Sequence, residues 1–310
     1  MVLLVFIDGI GLGPLGAHNP FEGAPIEILA PLAHRPARAD LSCTFVDASL
    51  GHPGLPQSAT GQAVIFTGED AIAEAGGHWS GAPTPRIARF IQKHSIFARA
   101  RESGIEAAFL NAYDPPRASH LERVMRGDER PMRRHPPSAT SWAALAGGTS
   151  AAKTQIRTFD DVHAGRAATF DFTGEVLRAF GVQAPHISIP DAARAVVRGA
   201  QEVNLAAFET FLTDKAGHTQ DMTWARTEII RVDRFLKEVI AATDPERDLV
   251  VVTSDHGNLE DLSTRSHTLS RVPLLAYGLD AEKFVDGMAT LKDIAPRLLQ
   301  RAVSTRLSTC

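Results

Sequence analysis

Three apolar stretches of this 310-residue chain run out into groups that can hold a cation or carry a proton. The first ends at Asp8, the second at Asp214-Lys-Ala-Gly-His218 and the third at Ser254-Asp255-His256-Gly257. A fourth group, Arg265-Ser-His267-Thr, stands just ahead of another apolar stretch. Carboxylate and imidazole donors without cysteine suit zinc, manganese or iron, and their number is enough for two ions. An aspartate after a strand often caps the next helix, and an isolated histidine is usually an ordinary polar residue. Asp255 and His256 resist that explanation. Consecutive strand residues point to opposite faces, so both reach one site only where the strand has ended, and Gly257 permits the bend. In Asp214-x-x-Gly-His218 the glycine reads as a turn into a helix rather than a helix interior.

Residues 55–68 add a nucleophile. Leu55-Pro-Gln-Ser58-Ala-Thr60-Gly61 reads as a turn that delivers Ser58 to the first position of a helix, which Thr67-Gly68 then stops. The free amides of that first turn and the helix dipole would face an anion, so a phosphate on or beside Ser58 needs no side chain to stabilise it. Taken alone, Ser58 is more simply an ordinary cap. The carboxylates and histidines elsewhere shift the balance.

Alternating strands and helices must carry these groups. Residues 1–7 are the continuous apolar run of a central parallel strand, which puts Asp8 at a carboxyl end, where open α/β sheets build their sites. Gly9-x-Gly11-x-Gly13 resembles a dinucleotide loop only superficially, since the spacing is wrong and Pro14 follows. Helices are expected at 25–32, 84–103, 191–201, 219–242 and 291–303, and further strands at 105–111, 204–212, 248–253 and 272–277. Between 112 and 187 the alternation is lost in a basic, proline-containing run at 126–137, with a short helical piece at 138–146. The expected fold is α/β: a three-layer sandwich with a mostly parallel central sheet, built from residues 1–111 and 188–310, with 112–187 as a small inserted cap.

Composition narrows the function. Hydrophobic residues at 44% and charged residues at 22% suit a soluble globular chain rather than a disordered or membrane one. The net charge of −4 comes with no long basic tract, so neither nucleic acid nor an anionic membrane is an expected partner. Cys43 and Cys310 lack metal-site spacing and read as free thiols of a reducing compartment. Residues 2–7 lack the basic start of a signal peptide and are too short to span a bilayer, so a cytoplasmic location is expected.

Taken together, Asp8-Gly9, Ser58-x-x-Gly61 with Thr67-Gly68, Asp214-x-x-Gly-His218, Ser254-Asp-His-Gly-Asn258, and Ser266-His267-Thr268 followed by Val272-Pro273 resemble the alkaline phosphatase superfamily. The nearest branch is that typified by cofactor-independent phosphoglycerate mutase and phosphopentomutase. Residues 291–296 are similar to a closing helix of that superfamily. The resemblance covers 1–111 and 190–303 and leaves the cap outside it. It implies one divalent ion held by Asp8, Ser58, Asp255 and His256 and a second held by Asp214, His218 and His267, with manganese favoured and zinc possible.

The resemblance further implies Ser58 as the nucleophile, with Thr60 as runner-up, a phosphoserine intermediate and a small phosphorylated substrate, in a phosphohydrolase or a phosphomutase. The chemistry is consistent, because a serine hydroxyl is a weak nucleophile until a metal lowers its pKa. The Cys/Ser-x-Pro-x-Arg motif of sulfatases, which share the fold, is absent around Ser58. Arg157, Asp160, Asp161 and Arg166 are a rough echo of the mutase's paired-aspartate and arginine signature and would place a guanidinium on a substrate phosphate. A solvated helix end with local ion pairs accounts for them equally well. His78 and Arg86 are further candidate substrate contacts. The alternative is a catalytically silent metal-binding scaffold or regulatory protein of the same fold, which would not need Ser58.

Overall fold

The computed structural model describes residues 1–128, 136–148 and 156–307. Most of the basic proline-containing run, residues 129–135, and Cys310 lie outside the described residues. In chain order the strands are β1 Val2–Ile7, β2 Leu41–Val46, β3 Ala107–Phe109, β4 Ala112–Tyr113, β5 Arg157–Thr158, β6 Leu205–Thr210, β7 Leu249–Thr253 and β8 Val272–Gly278. Six of them form one sheet in the order β2-β8-β7-β1-β6-β3, while β4 and β5 pair separately. Within the sheet only β8 runs against its neighbours, β7 and β2.

β1 is apolar and buried at every position because it lies between β6 and β7 with both faces covered. The register aligns Ile7 with Thr210 and Phe6 with Thr253, so three parallel strands finish almost level. Asp8, the turn before Asp214, and Asp255 therefore leave the sheet from one edge.

Alternation along β1 divides its side chains between two cores. Val2, Leu4 and Phe6 pack with the helices Ser58–Thr67, Ala139–Ala146 and Ile294–Leu307, and Leu3, Val5 and Ile7 with Ile189–Gln201 and Met222–Ala241. These are the three layers expected of the sandwich. Phe66 fixes the Ser58 helix to the sheet through the ring of Phe6 and to the Ile96–Glu102 helix through that of Phe97, at centroid distances of 6.2 and 6.1 Å. Truncating such a buried ring costs about 3–5 kcal/mol. In the 112–187 segment, Trp142, Ala143 and Leu145 join the first of these cores, whereas Ala112, Phe159, Val162, Ala167 and Ala184 make a small cluster of their own.

Several elements differ from the sequence expectation. Residues 25–32 contain no α-helix, only a 3-10 turn at Ala30–Ala33. The amides of Glu27, Ile28 and Leu29 instead donate to the Asp233 carboxylate at 2.9, 2.8 and 2.8 Å, which satisfies the backbone without a helical ladder. The expected 84–103 helix is two, Pro85–His94 and Ile96–Glu102. Ser95 breaks it with ψ of 135°, its Oγ accepting from Phe97 N and donating to Ala143 O at 2.6 Å. Strand β6 stops at Thr210, and Asp214-x-x-Gly-His218 lies inside a helix, Leu212–Thr219. Gly217 serves close packing there rather than a turn, because a Cβ would stand 2.6 Å from the Asn258 side chain.

Candidate metal centre

Ser58 opens the Ser58–Thr67 helix, and Gln57 occupies the cap position without making a side-chain cap bond. The Ser58 hydroxyl is thus uncommitted to the helix end, and its Oγ lies 2.9 Å from His256 Nε2. One turn on, a Cβ at Gly61 would meet the Asp255 carbonyl at 2.8 Å, so only glycine lets the helix approach so closely. Gln62, on the same helix face as Ser58, donates to Asp8 Oδ2 at 3.1 Å and Asp255 Oδ2 at 3.4 Å. The Thr60 hydroxyl is occupied by backbone, donating to Gln57 O and accepting from Trp79 N, each at 3.2 Å.

The seven implied ligands converge. His256 Nε2 is 3.3 Å from Asp8 Oδ1 and 3.5 Å from Asp255 Oδ2. Asp214 and His218 share a helix face at i and i+4, with His218 Nε2 3.3 Å from Asp214 Oδ2. His267 Nε2 reaches Asp214 Oδ1 at 3.5 Å and His218 Nε2 at 3.3 Å. The His256 and His267 rings stack at 3.6 Å and join the two groups.

The donor chemistry fits cations. His218 Nδ1 lies 2.8 Å from Arg265 O, and His267 Nδ1 lies 2.8 Å from Pro56 O. A carbonyl only accepts, so each Nδ1 carries a hydrogen, and the neutral form of each ring turns an Nε2 lone pair inward. Two such lone pairs facing each other repel unless a cation lies between them. The donor atoms of a tetrahedral ion with bonds of about 2.0–2.1 Å stand about 3.3–3.4 Å apart, which matches these separations.

Electrostatics agree. Burial, followed by the charges of Asp255, Asp214 and Glu209, holds the Asp8 carboxyl well above its usual range. Burial and then Asp214 do the same to Asp255. Burial and then His267 push His256 well below the ordinary histidine value, and burial also lowers His267. Crowded anions are costly in a dry site, whereas a divalent ion would favour ionised carboxylates beside neutral imidazoles. Asp8 Oδ1, buried without a hydrogen-bond partner, is one such waiting donor.

Further residues emerge that spacing alone does not single out. Asn258 Nδ2 fixes Asp214 through Oδ1 at 2.6 Å and its carbonyl at 3.0 Å. Glu260 Oε2 accepts the amides of Gly11 and Asn258, both at 2.9 Å, and its Oε1 accepts the Thr268 hydroxyl. One buried carboxylate therefore ties together the loops that carry Asp8, His256 and His267. The Gly9-x-Gly11-x-Gly13 pattern belongs to this knot, since a Cβ at Gly11 or Gly13 would stand 2.7 Å from Glu260. Gly257 likewise supplies space, a Cβ there meeting Glu260 Oε1 at 2.2 Å.

A cavity of about 410 Å³ opens beside Asp8 and Ser58, walled by residues including Tyr113, Phe170, Glu209, Phe211 and Lys215. Burial pushes Glu209 up to about 7. Arg157, Asp160, Asp161, Arg166, His78 and Arg86 are not among its lining residues. Asp161 pairs with Arg157 at 3.3 Å and Arg166 at 3.0 Å, Arg86 pairs with Glu74 at 2.7 Å, and His78 lies close to Gly54.

A family model described as the Metalloenzyme superfamily matches residues 1–304. The chain belongs to that superfamily. Curated relatives include the 2,3-bisphosphoglycerate-independent phosphoglycerate mutases of Coxiella burnetii, 36% identical over 93 residues, and of Yersinia pestis, 34% identical over 93 residues. Each match covers 28% of this chain but only 18% of the relative. Among solved structures, the alkaline phosphatase of the Antarctic bacterium TAB5 is 14% identical with a TM-score of 0.52, covering 98% of both chains. A cold-active alkaline phosphatase from Shewanella is 14% identical with a TM-score of 0.56, covering 96% of this chain and 98% of that one. These likenesses show that this member of the superfamily has the alkaline phosphatase-like fold. Among the described residues, no helix is long and apolar enough to cross a membrane.

Proposed function

We propose that this superfamily member is a two-metal phosphoryl-transfer enzyme, a phosphohydrolase or phosphomutase, acting on a small phosphorylated metabolite through a phosphoserine intermediate. The observation that carries this is the placement of Ser58: first in its helix, free of a capping role, with Oγ 2.9 Å from His256 Nε2. Asp8, Ser58, Asp255 and His256 would hold one ion, and Asp214, His218 and His267 the other. Manganese is favoured and zinc suits the same nitrogen and oxygen donors. Such ions would lower the pKa of the Ser58 hydroxyl and offset the charge of the phosphoryl group.

The chain's own groups do the rest. The Ser58 oxygen displaces the substrate alcohol from phosphorus and retains the phosphoryl group, which the amides of the first helical turn face. Water or a second hydroxyl then removes it, and residues 112–187, acting as a cap, govern which of the two enters. A silent scaffold would have no use for a serine so placed. The test is a phosphoester screen with and without added manganese. Metal-dependent release or migration of phosphate supports the proposal, and no turnover of any phosphoester would overturn it.

A further inference from the structure

Phe170 and Phe211 form a stacked pair on the cavity wall, with centroids 4.2 Å apart and planes at 20°. Neither ring belongs to the two sheet cores or to the small third cluster, and both are half-buried. Phe170 is nevertheless held in place. Its neighbours Thr169 and Asp171 are buried, and the Asp171 carboxylate accepts from Thr169 Oγ1 at 2.7 Å, Gly174 N at 3.1 Å and Val176 N at 2.7 Å. Phe172 is anchored on Phe235 at 4.3 Å. Phe211 immediately precedes the helix that carries Asp214. A fixed aromatic pair thus joins the 112–187 segment, through Phe170, to the helix that carries Asp214.

Two further properties of the wall matter. Lys215 Nζ lies 4.8 Å from the Phe211 ring centroid, which brings a cation to the same surface. The Tyr113 hydroxyl is 3.1 Å from Ser141 Oγ, which adds hydroxyls that can donate or accept. The cavity, at about 410 Å³, falls within the roughly 300–1,000 Å³ of pockets that enclose drug-sized ligands. Compact polyol or acid phosphates offer no apolar face to cover two phenylalanines. A planar ring does, and rings prefer offset or edge contacts of this kind.

Building on the phosphoryl-transfer proposal above, we propose that the substrate is a phosphate monoester whose organic part carries a planar aromatic ring, an aryl or nucleoside phosphate, received against Phe170 and Phe211. Lys215 offsets negative charge near the ring's anionic end. Phe170 is a specificity residue: it contacts the organic part and leaves the reacting atoms to the metal centre.

The experiment compares phenyl phosphate and adenosine 5′-monophosphate with glycerol 3-phosphate and 3-phosphoglycerate, on manganese-loaded wild type, Phe170→Ala and Phe170→Tyr. Turnover and calorimetric binding are both measured. Wild type should prefer the ring-bearing esters in kcat/KM. Phe170→Ala should lower kcat/KM for those two by about 10-fold, as expected for loss of one ring-stacking contact, mainly through KM. The ringless esters should lose much less, and Phe170→Tyr should restore the preference. Equal losses on all four substrates, or a wild-type preference for the ringless esters, would overturn the ring-binding proposal while leaving phosphoryl transfer standing. Absence of all turnover would sink the phosphoryl-transfer proposal. Calorimetry would still decide this one: adenosine 5′-monophosphate bound more weakly by Phe170→Ala supports it, and no preference for ring-bearing ligands overturns it.

Discussion

His218 and His267 face each other through Nε2 atoms 3.3 Å apart, each ring having its Nδ1 held by a backbone carbonyl. Those carbonyls select the same tautomer for both neutral imidazoles, and such outer contacts commonly tune metal ligands.

The Asn258 side chain performs the same service for Asp214, through bonds to its Oδ1 and its carbonyl. Asn258→Ala should weaken manganese binding about 10- to 100-fold while the protein stays folded. Calorimetric titration of the metal-free variant checks this. An unchanged affinity would mean that the Asp214 carboxylate needs no such support.

Glu260 holds three loops by one carboxylate. Glu260→Ala would leave the Gly11 and Asn258 amides without an acceptor in a buried setting. A loss of about 2–6 kcal/mol is expected, at roughly 1–3 kcal/mol for each of the two unsatisfied groups. Urea unfolding of metal-free protein measures it, and a loss under half a kcal/mol would show that the loops hold each other without Glu260.

Acid should weaken the metal centre. Burial lowers the pKa of His256 and His267, so between those lowered values and the usual 6.5 the unfolded chain binds protons that the folded one refuses, and their contribution falls as pH drops through that window. Asp8 and Asp255 act oppositely in the metal-free protein: their raised pKa values make the fold less stable as pH climbs above 3.8. Metal binding needs these carboxylates ionised and the histidines neutral, so protons compete with it throughout the acid range. The rise in melting temperature on adding manganese should thus be larger at pH 7.5 than at pH 5.5. Equal rises at the two values would count against this ligand set.

Ser58→Ala should abolish phosphoryl transfer, by about 1,000-fold or more for loss of a nucleophile. Asp8, Asp255, His256 and the Asp214 group remain, so most of the bound metal should stay. Parallel loss of metal and activity would reduce Ser58 to a ligand.

The sheet was legible because its central strands are unbroken apolar runs, and Asp8, Asp255 and His256 stood out as candidate ligands because they follow directly where two of those runs end. What escaped depended on contacts between distant residues. The 25–32 segment looks helical until Asp233, some 200 positions away, takes its amides. Gly217 passes for a turn residue until Asn258 is seen to occupy the space a Cβ would need. The glycine-spaced loop after β1 resembles a dinucleotide loop only superficially, and its purpose becomes readable only with Glu260 folded into it. The aromatic wall was invisible for the same reason, since Phe170 and Phe211 are far apart in sequence and stack on each other only in the fold.

The most direct test of the central claim is peptide mass spectrometry of manganese-loaded protein, quenched in acid during turnover of a phosphoester. The account predicts one phosphoryl group on the peptide containing Ser58, absent when metal is withheld and absent in Ser58→Ala. Metal-dependent turnover with no phosphate on Ser58 at any quench time, or phosphate carried by Thr60 instead, would contradict it.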